Sequence, residues 1–484
     1  MRLKDTVTSE TITHRKEDSK GMNLASVARE EFDVEVKNYP KSQRISDACM
    51  RAYIGAPDWI DEDDGVTTVN LANTIASEVA RLTMLGTKIT AEGSARATYI
   101  QKIIDANYAK FRQWAEYAAA IGTIIIKPNG TDFDIYTPSQ YFVTSTFNGE
   151  IWGAVFLTQK QSDDGKLWYS RLEYHRFSDN GHYTITNKCY VGESRNDASE
   201  RVDIKNTPWY MLDEEVTVDG LEKPLFAVLR TPAANYVDID SPCALPVFAS
   251  AMQELQDVDI AYSRYIKEID ESKRTVLIDS DRLMVDGGSP KNKNSKIGSL
   301  NAARKNMGLP DYVRAVEGTG EGNIYTEINP TLNTAVRLQG INHLLSQIGY
   351  KVGFANGYFV FNEASGIQTA TGVEANQQRT IQFIKDCRDQ MEKALSDLVE
   401  AIDKFADLYS LAPVGKYELT YNFGDITYNE DEDRARYLTY VSMGKFPFWR
   451  YLVKFEGYGE EEARGIEQEA MTQAQGMEGM FAEE

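Results

Sequence analysis

The order of hydrophobic periods along this chain predicts an α+β protein, and three observations carry the prediction. Apolar residues recur at helical spacing from Leu71 to Ala118, shorten to strand spacing between Thr123 and Val218, and return to helical spacing from Leu245 to Tyr409. One block of strands set between two helical blocks argues for segregated α and β parts, not a doubly wound α/β sheet. A chain of 484 residues can bury a substantial core and holds about three domains or one large elaborated one. Its 42% hydrophobic and 11% aromatic content is that of a folded protein.

Residues 1–32 are polar and mixed in charge and read as a loosely attached arm leading into a first helix. Asp58 to Gly65 reads as a loop. Its four consecutive acids, Asp61, Glu62, Asp63 and Asp64, lack the ligand alternation of a calcium loop, so a solvated loop is expected rather than a metal site. Leu71, Ile75, Val79 and Leu82 place a helix between Val69 and Leu85. A second helix, Ala95 to Ala120, carries Ile103, Ile104, Tyr108, Phe111, Trp114 and Ala118 on one side and stops at Gly122. Short strands follow at Thr123–Lys127, Phe133–Tyr136, Tyr141–Thr144, Gly153–Thr158, Leu167–Phe177, His182–Tyr190 and Glu215–Val218, joined by Asn, Gly and Asp turns.

The first long helix is expected from Leu245 to Ile278, with Phe248, Met252, Leu255, Val258, Tyr262, Tyr265 and Ile269 in one stripe. A second, Leu332 to Val352, repeats the pattern with Leu338, Ile341, Leu345, Ile348 and Val352. Two narrow stripes with polar faces left over suit side-by-side packing in a ring, or a plain antiparallel pair within one chain. Between them Lys291, Lys293, Lys296, Arg304 and Lys305 occur with no acid from Ser289 to Leu309. That run reads either as a solvated loop or as a contact for nucleic acid or an acidic partner. Gly318, Gly320 and Gly322 lack the spacing and the following Lys-Ser/Thr of a phosphate loop, and mark a turn.

A third helix, Val373 to Leu411, keeps helical spacing from Ile381 through Cys387, Met391, Leu398 and Phe405 to Tyr409, and Pro413 closes it. Beyond it a strand is expected at Tyr417–Phe423, an acidic turn at Glu430–Asp433, and helices at Glu432–Ser442 and Arg450–Phe455. The Glu-rich tail from Glu456 reads as partly disordered.

The net charge of −21 disfavours a conventional nucleic-acid binder with a basic surface. It suits a protein past which DNA must slide. Cys49, Cys189, Cys243 and Cys387 form no CxxC pair, so neither zinc nor a disulfide framework is indicated, and assembly in a reducing compartment is expected. Cys387 falls in an apolar helical register and reads as a small buried hydrophobe. The N-terminus has no apolar signal core, and Ala118 to Ile126 is less than half the roughly 20 residues needed to cross a bilayer. Asn129-Gly-Thr131 matches a glycosylation sequon only by accident. His14, His175, His182 and His343 form no metal-binding or catalytic motif. His175 and His182 are expected to be surface or strand histidines, and no catalytic residue, metal or cofactor is assigned.

Several stretches together resemble the portal proteins of tailed double-stranded DNA bacteriophages, of the long-tailed type infecting Gram-positive hosts. They are Gln368 to Gln382 (QTATGVEANQQRTIQ) with Leu395 to Ile402, Asp425 to Asp433 with Val441-Ser-Met-Gly444, Glu460 to Glu469, and Ala120 to Ile126 leading to Tyr136-Thr-Pro-Ser139. The likeness covers most of the chain from about residue 40. Typical relatives carry an acid after Thr-Ala-Thr, where this chain has Gly372. The resemblance implies a portal fold with long stem helices, a β-rich wing, a small clip and a mainly helical crown.

Mapped on this sequence, the resemblance implies an arm over 1–32, a wing over 33–244, stem helices over 245–271 and 332–352 with the clip, 272–331, between them, and a tunnel loop over 353–372. A long wing or crown helix over 373–412, a C-terminal wing or crown over 413–455 and the acidic tail over 456–484 complete it. Stem packing would fall to Leu255, Tyr262, Ile269, Leu338, Ile341, Leu345 and Ile348. The constriction would be formed by Asn356, Tyr358, Phe359, Val360, Phe361 and Asn362, and the clip lysines and arginines would meet DNA or the motor. The implied function is a twelve-subunit ring at one capsid vertex of the virion, assembled in the host cytoplasm. A separate terminase packages DNA through it, DNA later leaves through it, and it docks head-tail adaptor, capsid and scaffolding proteins; no membrane is involved. Two other readings stand beside it: a carboxylate- or metal-dependent hydrolase using Asp61 to Asp64, and a monomeric scaffold or adaptor.

Overall fold

The computed structural model describes residues 24–271 apart from 38, 61–64, 131, 179–180 and 196–199; the strands 275–279, 313–316 and 325–328; and residues 332–469 apart from 361–369, 425–429 and 444. Two compact units divide the chain, Met1–Met84 with Ile89–Tyr421, and Leu85–Lys88 with Asn422–Glu484.

The first unit opens with helices α1 (Leu24–Phe32), α2 (Pro40–Tyr53) and α3 (Leu71–Thr83), then strand β1 (Lys88–Glu92) and helix α4 (Ala95–Ile121). α1 corrects the expectation of a loose arm. Its Val27 and Ala28 are buried with Val155, Leu157, Leu172, Tyr174 and Tyr190 of the sheet, so apolar burial holds this stretch despite its charged neighbours. α4 starts where Ser94 accepts a hydrogen bond from the Ala97 amide at 3.3 Å. It ends at Gly122 (φ +98°), where a Cβ would run into the Ala244 carbonyl and Leu245.

The seven predicted strands form, as β2 (Thr123–Asn129), β3 (Asp132–Tyr136), β4 (Tyr141–Phe147), β5 (Glu150–Gln161), β6 (Trp168–Phe177), β7 (Tyr183–Gly192) and β9 (Glu215–Val218), and two that were not predicted join them, β8 (Glu200–Val202) and β10 (Ala227–Arg230). β4-β5-β6-β7-β8 make one antiparallel sheet, with β9 also pairing with β7. A three-stranded sheet, β10-β2-β3, packs its Ile124 and Ile126 with α4 and the later long helix.

The long helix expected from Leu245 begins only at Met252: helix α5 is Met252–Glu271, after a short turn of 3-10 helix at Ala249–Ala251. Its backbone groups upstream are already committed. The Val247 amide donates to Ala119 O (3.0 Å), Thr231 Oγ1 donates to Leu245 O (2.7 Å), and the Ala244 amide donates to Thr123 Oγ1 (2.8 Å). Instead of helix up to Ile278, Thr275–Asp279 is strand β11. It pairs parallel with β12 (Val313–Val316) and antiparallel with β13 (Tyr325–Ile328). The β-branched pair in Thr275-Val276 favours extended backbone over a further helical turn. Helices α6 (Thr334–Val352) and α7 (Ala370–Leu408) and strand β14 (Glu418–Asn422) complete this unit, β14 pairing with β1.

Residues 413–421 belong to this unit rather than to a segment starting at 413, because Tyr417, Leu419 and Tyr421 pack on the core of α4 and α7. The second unit holds helices α8 (Glu430–Ser442) and α9 (Phe448–Tyr451), a π-helical turn at Leu452–Glu456, and a helix over 460–469. The stretch Glu430–Asp433, expected to be a turn, is the first turn of α8. Within the tail, Ala463 is buried with Tyr451, Leu452 and Phe455, so its start is packed helix.

Candidate functional site

The element that sets this molecule apart is an antiparallel pair made by α5 and α6. Two ion pairs hold its register, Glu254 with Lys351 at one end and Glu268 with Arg337 at the other, equal steps along both helices. Glu268 also accepts from the Asn333 amide at 2.9 Å, capping the start of α6, and Lys351 donates to Ser250 O at 3.1 Å. Trp59 Nε1 (2.9 Å) and the Val69 amide (2.8 Å) both donate to Asp259, while the Thr67 amide donates to Ser263 Oγ (2.9 Å), so both flanks of the acidic loop are pinned to α5. Asp61 to Asp64 themselves lie outside the described residues.

Burial changes along the pair. Leu255, Val258, Ile341, Leu345, Ile348 and Val352 are buried at one end. At the other end Ile266 and Ile269 on α5, and Leu332 and Val336 by the start of α6, are 42–69% exposed. Of the seven residues assigned to stem packing, Leu255, Ile341, Leu345 and Ile348 are buried, and Tyr262 and Leu338 are half-buried. Ile269 is 42% exposed in the single chain. The cause is helical geometry: a seven-residue step falls about 20° short of whole turns, so Leu255, Tyr262 and Ile269 rotate progressively out of the seam.

The stretch after α6 turns sharply. The Gly353 and Phe354 amides both return to Gly349 O, at 3.1 and 2.9 Å, and Gly353 (φ +108°) sits where a Cβ would lie 2.9 Å from the Phe383 ring. Phe354 is fully buried against Tyr358, Phe359 and Phe383, and the Ala355 amide donates to Thr380 Oγ1 at 2.8 Å. Tyr358 donates its hydroxyl to Glu78, whose carboxylate is gripped by Arg81 at 2.6 and 2.7 Å. Burial, with Glu78 beside it, pushes the Tyr358 phenol up to about 12. Asn356 is exposed and Val360 half-buried. Phe361 and Asn362 lie outside the described residues, as do Lys291, Lys293, Lys296, Arg304 and Lys305.

A second constellation was missed from sequence. Arg171, Glu173 and His175 alternate along β6 and so share one face, which is buried. Glu173 accepts from Lys127 of β2, from Arg171 Nη2 (2.9 Å) and from His175 Nε2 (2.8 Å). His175 Nδ1 lies 2.8 Å from Tyr183 Oη, which accepts from the Leu225 amide at 3.1 Å. Ionised Glu173 can only accept, which assigns the His175 proton to Nε2, so the Tyr183 hydroxyl donates to Nδ1. Burial alone would raise the Glu173 carboxyl, but Lys127, the His175 hydrogen bond and Arg171 hold it well below the carboxylate range; burial lowers His175. A Tyr-His-Glu chain can relay a proton, yet His175 is 1% exposed and Tyr183 fully buried. The cavities near 290 and 230 Å3 are lined by other side chains. The available signal was the charged alternation R-x-E-x-H within a strand whose intervening Leu172 and Tyr174 are also apolar. His182 is exposed and paired with Asp219.

Among the described residues no group of three or more His, Cys, Asp or Glu could hold a metal, and no helix is long and apolar enough to cross a membrane. Cys387 is buried, and burial pushes its thiol up to about 12. No protein-family model matches the chain, and no curated protein does. Among solved structures that match is a chain of the virion of a native gene transfer agent particle, 10% identical over 87% of this chain and 93% of that one, with a TM-score of 0.39. At that score the likeness carries no argument about function.

Proposed function

We propose that this chain is the portal protein of a tailed-phage-like particle. Its subunits stand side by side in a ring at one vertex of the virion, and double-stranded DNA enters and later leaves through the channel. The observation that carries this reading is the α5–α6 pair. Its two helices already satisfy each other, yet Ile266, Ile269, Leu332 and Val336 remain exposed at one end. A neighbouring copy covers this exposed apolar surface. The order of parts also supports it: helix, small three-stranded sheet, helix, glycine-bounded turn, long helix. The portal resemblance assigns these as stem, clip, stem, tunnel loop and crown-bearing helix.

In this reading the net charge of −21 keeps phosphate contacts weak, so DNA slides rather than sticks. Lys291, Lys293, Lys296, Arg304 and Lys305 of the clip meet DNA or the docked terminase, and the turn from Asn356 to Val360 leads into the constriction. The protein performs no catalysis and takes no cofactor. Its partners are itself, terminase, a head-tail adaptor, and capsid and scaffolding proteins. Native mass spectrometry with electron microscopy of purified protein tests the reading: closed rings of about twelve copies with a central hole are expected. A strictly monomeric species at high concentration overturns it.

A further inference from the structure

A cavity of about 290 Å3 lies between α1, the chain that follows it, β4 and the loop before α5. Its walls are apolar where Val36, Tyr141 and Val143 meet, all three buried. The charged side chains lining it are Arg29 and Lys37, and no Asp or Glu lines it. Neither cation has a carboxylate partner among the described residues. Arg29 Nη2 makes one long contact to Val36 O at 3.4 Å, and Lys37 Nζ donates to the Thr146 hydroxyl at 2.6 Å. In so acidic a chain, two cations left without acids at one cavity are an imbalance that an anion would correct. Two further polar side chains line it, the exposed Gln43 carboxamide and the Ser46 hydroxyl.

We propose that this cavity binds a small organic anion with an aromatic or similarly sized apolar body. The body packs on Val36, Tyr141 and Val143, the anionic group faces Arg29 and Lys37, and Gln43 and Ser46 supply further hydrogen bonds. Size is adequate, since an apolar cavity of about 150 Å3 takes up benzene. A metal cation is the wrong charge for a lining without carboxylates. The proposal is independent of the portal reading, and it holds for a ring or a single chain.

Cys243 lines the same cavity, 3.4 Å from the Tyr141 hydroxyl, and of the four cysteines it is the one not fully buried. It therefore reports occupancy through its alkylation by iodoacetamide, followed by mass spectrometry on the full chain. The probe is 3-phenylpropanoate and the control its neutral analogue, 3-phenylpropan-1-ol. Saturable protection of Cys243 by the acid is expected, with the alcohol binding about tenfold more weakly. In R29A/K37A the acid should fall to the level of the alcohol while the alcohol is unchanged. Both residues are exposed, so this variant should fold; if it melts early, K37M, which keeps the aliphatic stem, carries the test. Equal protection by acid and alcohol, or acid binding unaltered by the substitutions, overturns the proposal. So does protection that rises with protein concentration in the absence of probe, which would mean that a neighbour's side chain fills the cavity.

Discussion

Arg96 shows how one side chain can hold a long element in place. Its side chain is fully buried on α4, and its guanidinium donates to Asp403 O (2.7 Å), Ala412 O (2.9 Å) and Pro413 O (3.0 Å), and to the Asp403 and Asp407 carboxylates at 3.1 and 2.5 Å. These acceptors span the last two turns of α7 and the residues just past it, and the carbonyls beyond Leu408 have no helical partner. Arg96→Met should therefore cost about 3–5 kcal/mol in chemical denaturation, because three carbonyls and two carboxylates lose their donor and the buried guanidinium site is emptied; a loss under about 1 kcal/mol would mean that water replaces it. The Glu173 cluster makes a pH prediction. His175 is lowered by burial below its usual value near 6.5. The unfolded chain then binds more protons below that pH, so stability is complete above about 6.5 and lost as pH falls through it. Glu173, held low by Lys127, adds a second loss below about 4.3, the ordinary glutamate value. His175→Gln should flatten the decline between about pH 6.5 and 5 in a urea-midpoint series. An unchanged slope would place the titrating group elsewhere.

At the scale of elements, the α5–α6 pair divides its energy unevenly. Leu345 is 1% exposed, and Leu345→Ala should lower stability by about 2–5 kcal/mol. Val336 is 69% exposed on the same helix, and Val336→Ser should change the melting of dissociated protein by no more than about 0.5 kcal/mol. The stripes of both helices were legible from periodicity, since burial against a partner follows helical phase. Where α5 begins was not, because hydrogen bonds between residues 244–247 and Ala119, Thr123 and Thr231 decide it. A similar reciprocal clamp joins α7 to α3. Arg388, 7% exposed, donates to Thr83 O (3.1 Å) and Leu82 O (2.9 Å), closing the end of α3 as Arg96 closes the end of α7. Helical spacing marks Arg388 only as one polar residue beside an apolar stripe.

For the whole molecule, the proposed ring depends on surface that a lone chain leaves wet. Replacing Ile266, Ile269 and Val336 together with Ser should leave the melting of the single chain nearly unchanged, since all three are exposed. It should also shift native mass spectra from rings toward monomers, each lost apolar contact weakening a repeated interface. Rings of unaltered stability would place the subunit contact on another face.

By itself the sequence determined the class of fold, the run of strands from Thr123 to Val218 between two helical blocks, and the faces of α4, α5, α6 and α7 that are apolar, but not the strands β1, β8 and β10 to β13. Those properties are local, set by side-chain period and by stop residues such as Gly122 and Gly353. Tertiary structure alone decided that α1 is docked rather than loose, that Arg171, Glu173 and His175 face inward to meet Lys127, and that Tyr358 is tied to Glu78. Each of these joins residues distant in sequence, where the partner that neutralises a charge or covers an apolar side chain leaves no trace in the local period.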